Sequence, residues 1–133
     1  MMGVYRAAVE ELHIPYVYPQ ENGNRTDVKW FSMSDRESSS LLFKSRHSCE
    51  LTVHDYTTEA LERAKHHHEL EKASYHVVHI DDMQTGLGSN SCGEEQLPPY
   101  KLGLRPFAID VEWSAVAPGT EVSASKRLYA EKG

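Results

Sequence analysis

Eight histidines are the first residues of this 133-residue chain to suggest chemistry. His66, His67 and His68 are consecutive, and His76 and His79 follow closely. Imidazole titrates near neutral pH and is the commonest side-chain metal ligand. A zinc ion, however, needs three or four ligands converging on one point. Three adjacent residues on a helix spread over about 200° of arc. Histidines three apart on a strand face opposite sides of the sheet. The spacing therefore predicts solvated helix-end histidines and no metal site.

The next candidate is the glycine-rich stretch TGLGSNSCGEE, Thr85 to Glu95. It has neither the G-x-G-x-x-G spacing nor the lysine of a phosphate cradle, and no G-x-S-x-G elbow occurs. Cys92 has Asn90 close by, but no histidine is placed by spacing as its base. Gly86, Gly88 and Gly93 read instead as residues that permit tight turns or the close approach of a ligand. The paired acids Glu10/Glu11, Asp81/Asp82 and Glu94/Glu95 do not make a glycosidase dyad by adjacency. Such a dyad needs two carboxyls facing each other across a sugar, and adjacent strand residues point apart. The glycosylation sequon Asn24-Arg25-Thr26 is read as chance, because no secretory signal precedes it.

Several strands would have to position these groups. Phe107, Ile109, Val111 and Trp113 alternate with Ala108, Asp110 and Glu112, the period of a strand with one buried face. Leu51 and Val53 alternate in the same way with Glu50, Thr52 and His54. TDVKWFSM (Thr26 to Met33), LLFKS from Leu41 and SYHVVHI from Ser74 are rich in strand formers. IPYVYP is bracketed by Pro15 and Pro19 and reads as extended chain outside any central strand. One segment breaks the pattern. DYTTEALERAKHHHEL predicts a single helix of three to four turns over Thr57–Leu70, capped by Thr57 or Thr58. Ala60, Leu61, Ala64 and His68 form its apolar-leaning stripe. Residues 116–133 read as a polar tail or a final edge segment. The expected fold is all-β, an antiparallel sandwich with one short helix at about 57–70.

The whole-chain composition fits this. Fourteen basic against twenty acidic side chains give a net charge of −6, and the mean hydropathy is −0.58. This favours a soluble single domain, or a piece of one, over a disordered or membrane chain. The acidic balance argues against a general nucleic-acid binder. Two cysteines, Cys49 and Cys92, are too few for a disulfide framework and suggest the cytoplasm. No apolar run is long enough for a signal peptide or a membrane span.

Four strings carry a resemblance. IPYVYPQENGNRTDVKW contains PY-x-x-P-x-ENG-x-R. FKSRHSCELTVHDYTTEALERAKHHHEL gives a strand, a short helix and a His-rich turn. VVHIDDMQTGLGSNSCG gives a strand and a glycine loop, and FAIDVEW a last strand. In this order and spacing, from about residue 14 to 113, they resemble the C-terminal sandwich of the large microbial β-galactosidases of glycoside hydrolase family 2. The resemblance covers the second half of that domain, here residues 1–115.

The resemblance implies a fragment. The parent's two catalytic glutamates belong to a TIM barrel, so no residue here is catalytic and the isolated chain is expected to be inactive. The parent's magnesium and monovalent cation lie with the rest of that enzyme, leaving this chain without a cofactor. Its partners would be the barrel and the missing half of the sandwich. The family's glycine loop, matching Gly86 to Gly93, reaches the leaving-group side of the galactoside pocket and in many members carries a stacking tryptophan. Here Cys92 falls at that place, which removes the flat face that suits a sugar. Asn90, Ser91 and Cys92 are then the expected substrate contacts. A stand-alone carbohydrate-binding sandwich without catalysis is the alternative. A halved sandwich also predicts exposed strand edges and self-association.

Overall fold

A computed structural model describes residues 3–34, 39–85 and 92–130. The fold is all-β in its framework. Strands β1 (Arg25–Ser34), β2 (Ser40–His54), β3 (Val77–Asp81) and β4 (Val111–Val116) form one four-stranded sheet. β2 is its hub, bonded to each of the other three. It runs antiparallel to β4, with Ser40 opposite Val116 and Ser45 opposite Val111. The bond from Arg46 N to Asp110 O, 3.1 Å, carries the pairing one residue before the start of β4.

One end of β2 departs from the expected pattern. Alternation around Leu51 and Val53 predicts a wet face at Thr52 and His54, yet both are buried, at 7% and 3% exposure. A strand covered on both faces has no wet side to alternate with. The reverse holds for the last strand. Phe107 and Ile109 lie before β4 rather than in it, and both are exposed, as is Trp113.

The described residues gather into two compact units. The first comprises residues up to Thr26 together with Glu50–Ile80, and the second Asp27–Cys49 together with the residues from Asp81 onward. In the second unit Phe43, 2% exposed, anchors the packing. Phe31 stacks on it at 4.2 Å between ring centroids, and Trp113 meets it edge-on at 3.6 Å. Cys49 is buried there, its Sγ donating to Val28 O at 3.5 Å.

The single helix expected over Thr57–Leu70 is corrected. Helix α1 covers only Thr58–Arg63. Its N-cap is Thr57, whose Oγ1 accepts from Ala60 N at 3.1 Å. Ala60, Leu61 and Ala64 are buried as the stripe predicts. At Ala64 the backbone turns extended (φ −72°, ψ 130°), and His66 is extended as well (φ −137°, ψ 153°). The histidines therefore leave the helix. His67–Glu69 form a separate 3-10 turn, and His68 is exposed rather than part of the buried stripe.

A second helix, α2 (Glu121–Ala130), occupies the stretch read from the sequence as tail or edge. The entry to it is a tight turn. Thr120 N donates to Ala117 O at 3.1 Å, and Gly119 sits at φ +83°. That is where a Pro-Gly turn requires a residue of positive φ. Glu121 is buried at 6% exposure. Its Oε1 accepts from Gly119 N at 3.1 Å and from the Ser40 hydroxyl, so the helix start is fastened to the start of β2.

Candidate functional site

In the second unit, the glycine-rich stretch leaves the end of β3 and the chain returns toward β4. Two contacts close its base. Thr85 Oγ1 accepts from Leu102 N at 3.3 Å, and Arg105 pairs with the Asp82 carboxylate. Arg105 also reaches Met83 Sδ at 3.9 Å. Inside this closure Lys101 pairs with Glu95. Pro98–Tyr100 form a 3-10 turn that begins with proline, where a missing N–H costs least.

Cys92 and Gly93 are exposed within this segment. Gly86, Gly88, Asn90 and Ser91 lie outside the described residues. The sequence reading overlooked Tyr100. It stands at 72% exposure between the two ends of the closure, and an exposed aromatic face is the group that packs on the C–H surface of a sugar. The prolines at 98 and 99 were its available signal, since two successive prolines favour a short turn.

In the first unit, the E-N-G element proves to be a bracket. Asn22 Oδ1 accepts from Ile14 N at 2.8 Å, and its Nδ2 donates to Gln20 O at 2.9 Å. Asn24 is held by Glu50 at 2.6 Å and by Thr52 at 3.3 Å, which gives the sequon residue a structural task. Asp55 collects Lys72 at 3.0 Å and His76 at 2.7 Å. Burial pushes the Asp55 carboxyl up, but these two hydrogen bonds outweigh it and hold it below its ordinary value. Asp55 in turn raises the Lys72 ammonium.

The histidines divide into two groups. His13 lies against His54, Tyr56 and His67, at ring-centroid distances of 6.1, 5.2 and 5.5 Å. Both ring nitrogens of His54 and Nε2 of His13 are buried without a hydrogen-bond partner among the described residues. Burial lowers both imidazoles below their ordinary value, so these rings are neutral packing groups. The second group, His66 with His68 and Glu69, is exposed.

A retaining glycosidase needs one carboxyl raised to serve as acid and another facing it. The carboxyls whose acidity is displaced here move the other way. Asp55 and Glu59 are held low, and Glu69 is held at about 2 by hydrogen bonds from Lys65 N and then His66. A shallow concavity lined by Ala60, Arg63, Ala64, Glu69 and Glu71 measures about 190 Å³, smaller than the roughly 300 Å³ at which small-molecule sites begin.

Comparison with known proteins accords with a part rather than a whole. Residues 1–113 match the family model described as β-galactosidase small chain. A β-galactosidase of Actinobacillus pleuropneumoniae is 32% identical over 108 residues, covering 81% of this chain and 10% of that protein. A β-galactosidase of Arthrobacter sp. (strain B7) is 29% identical over 113 residues, covering 81% and 11%. One from Kluyveromyces lactis is 26% identical over 98 residues, covering 73% and 9%. The chain thus spans about a tenth of the length of these relatives. Among the described residues, no helix is long and apolar enough to cross a membrane.

Proposed function

The chain belongs to the β-galactosidase small-chain family, and from that membership we propose that it serves as a non-catalytic segment of a larger β-galactosidase. The carrying observation is the coverage: the match takes in most of this chain but only about a tenth of each relative. The parent would hydrolyse terminal β-galactosides with retention, its catalytic glutamates lying in a TIM barrel outside this segment. The partners of this segment would be that barrel and the remaining half of the C-terminal sandwich. The setting is the cytoplasm, in keeping with two cysteines and no disulfide framework.

Within this reading, Asn90, Ser91 and Cys92 line the leaving-group edge of the galactoside pocket, and Gly86, Gly88 and Gly93 let the backbone come close. Exposure of Cys92 and the closed base at Thr85–Leu102 and Asp82–Arg105 support a presented loop. Tyr100 supplies an aromatic face on the same loop, which compensates for a thiol at the expected stacking position. The magnesium and monovalent cation of the parent belong to its other domains. The one convergence of candidate metal ligands among the described residues is rich in imidazole, whereas magnesium prefers oxygen donors.

A chromogenic β-galactoside separates the readings. The purified chain alone should give no turnover, and adding it to a β-galactosidase truncated by the matched segment should restore hydrolysis. Turnover by the chain alone would overturn the proposal. Calorimetric titration with galactose and lactose addresses the stand-alone binding module. A self-sufficient module binds measurably, whereas one loop of a pocket does not.

A further inference from the structure

The expectation that the consecutive histidines cannot share an ion rests on helical phasing, and that phasing is broken at Ala64 and His66. With His66 extended and His67–Glu69 in a 3-10 turn, the odd histidine out is His67, whose ring goes to His13 at 5.5 Å. His66 and His68 come together instead, their rings nearly parallel at 17° with centroids 5.5 Å apart. His66 is the N-cap of this turn, and the bond from its backbone N to the Glu69 carboxylate, as in a capping box, sets Glu69 against His66. The Nδ1 of His66 is 3.1 Å from Glu69 Oε1. One ligand atom from each of His66, His68 and Glu69 lies within 4.8 Å of the others.

We propose that His66, His68 and Glu69 form a surface site for a borderline transition-metal dication of the zinc type. With bonds near 2.0–2.1 Å, two ligand atoms on a tetrahedral zinc stand about 3.4 Å apart. The His66–Glu69 pair, at 3.1 Å, is within a few tenths of an ångström of that spacing, so an ion fits between them with little movement. His68 closes the set by side-chain rotation, which its exposure permits. The carboxylate is fixed in advance, because Glu69 Oε2 accepts from Lys65 N at 2.7 Å and His66 N at 3.4 Å. Oε1 is thereby aimed at the imidazole nitrogen of His66. Two nitrogens and one oxygen select zinc, nickel or copper over magnesium or calcium. The remaining coordination is left to water. The site is separate from the glycine-rich loop and does not depend on galactoside binding.

The test is equilibrium dialysis of the untagged full chain against zinc, with metal counted by elemental analysis. One zinc per chain is expected, and proton NMR should show the ring signals of His66 and His68 shifting while that of His47 stays. His68→Ala should weaken binding by about tenfold or more, and His47→Ala should leave it unchanged. His68 takes no part in the backbone bonds of the turn, so the variant should keep the parent circular dichroism. Should it not, His68→Gln and the ring signals of the unmodified chain decide the matter. No binding below about millimolar zinc, equal binding by the His68 variants, or shifts confined to other histidines would falsify the site.

Discussion

At Gly23 two demands coincide. Its φ is +75°, and a Cβ placed there would lie 2.7 Å from the Leu12 carbonyl oxygen. The contact is with backbone, so no side chain can swing aside to relieve it. Gly23→Ala should therefore destabilise the first unit by about 2 kcal/mol or more, measured by urea unfolding. The neighbouring Asn22 holds the chain to Ile14 and Gln20 and Gly23 gives it room, so folding needs account for Asn22 and Gly23. His54 makes a second prediction at this scale. Its imidazole is lowered by burial from 6.5, against an opposing pull from the Asn22 backbone. The unfolded chain thus takes up a proton that the folded ring resists. Stability is then full above about pH 6.5 and declines as pH falls below it, levelling off beneath the lowered folded value. His54→Leu should flatten that part of the profile in urea midpoints taken between pH 5 and 8. A wild-type profile rising toward acid in this range would contradict the neutral, buried assignment.

Helix α1 is short enough that its cap matters. An isolated six-residue helix has little stability of its own, and Thr57→Ala removes the acceptor for Ala60 N. A loss of about 1 kcal/mol is expected, read from the denaturant midpoint. In the sheet, Phe43→Ala leaves Phe31 and Trp113 without their shared ring and should cost about 3–5 kcal/mol, with the near-ultraviolet signal of Trp113 reduced as well. These elements also show what could be read in advance. β1, β2 and β3 announce themselves through runs of strand formers, and the Thr57 cap through its side chain. The extent of the helix was not legible. A stripe at helical spacing continues through His68, but the chain departs at Ala64, and only tertiary packing of Leu61 and Ala64 decides where. For the same reason, alternation misjudged Thr52 and His54. Periodicity reports one covered face, whereas the Leu51–Thr52–Val53–His54 end of β2 is buried on both. Helix α2 was hidden because two serines and three charged side chains interrupt its apolar residues, and its anchor is a contact from Glu121 to Ser40, 81 residues away in sequence. The glycine-rich loop was found from its likeness to a family, and Tyr100 was missed because its turn, not its residue type, puts it on view.

For the whole molecule, each unit displays apolar side chains in number. Tyr16, Val17 and Tyr18 are exposed in the first, and Leu104, Phe107 and Trp113 in the second. A chain that completes a larger enzyme would cover such surface in the assembly. On its own it should self-associate, through these side chains or through strand edges. Light scattering across a dilution series should show a mass that climbs with concentration, and addition of the complementary portion of a β-galactosidase should abolish the climb. A fixed monomer mass would indicate that the segment covers its own surface. The Thr85–Leu102 and Asp82–Arg105 contacts join the two stems of the glycine-rich loop at its root. Because closure entropy grows only with the logarithm of length, residues between these staples can be inserted, deleted or exchanged with little disturbance to β3 and β4. The root works as a cassette frame, so that the loop's contents can be revised while the sheet is left intact.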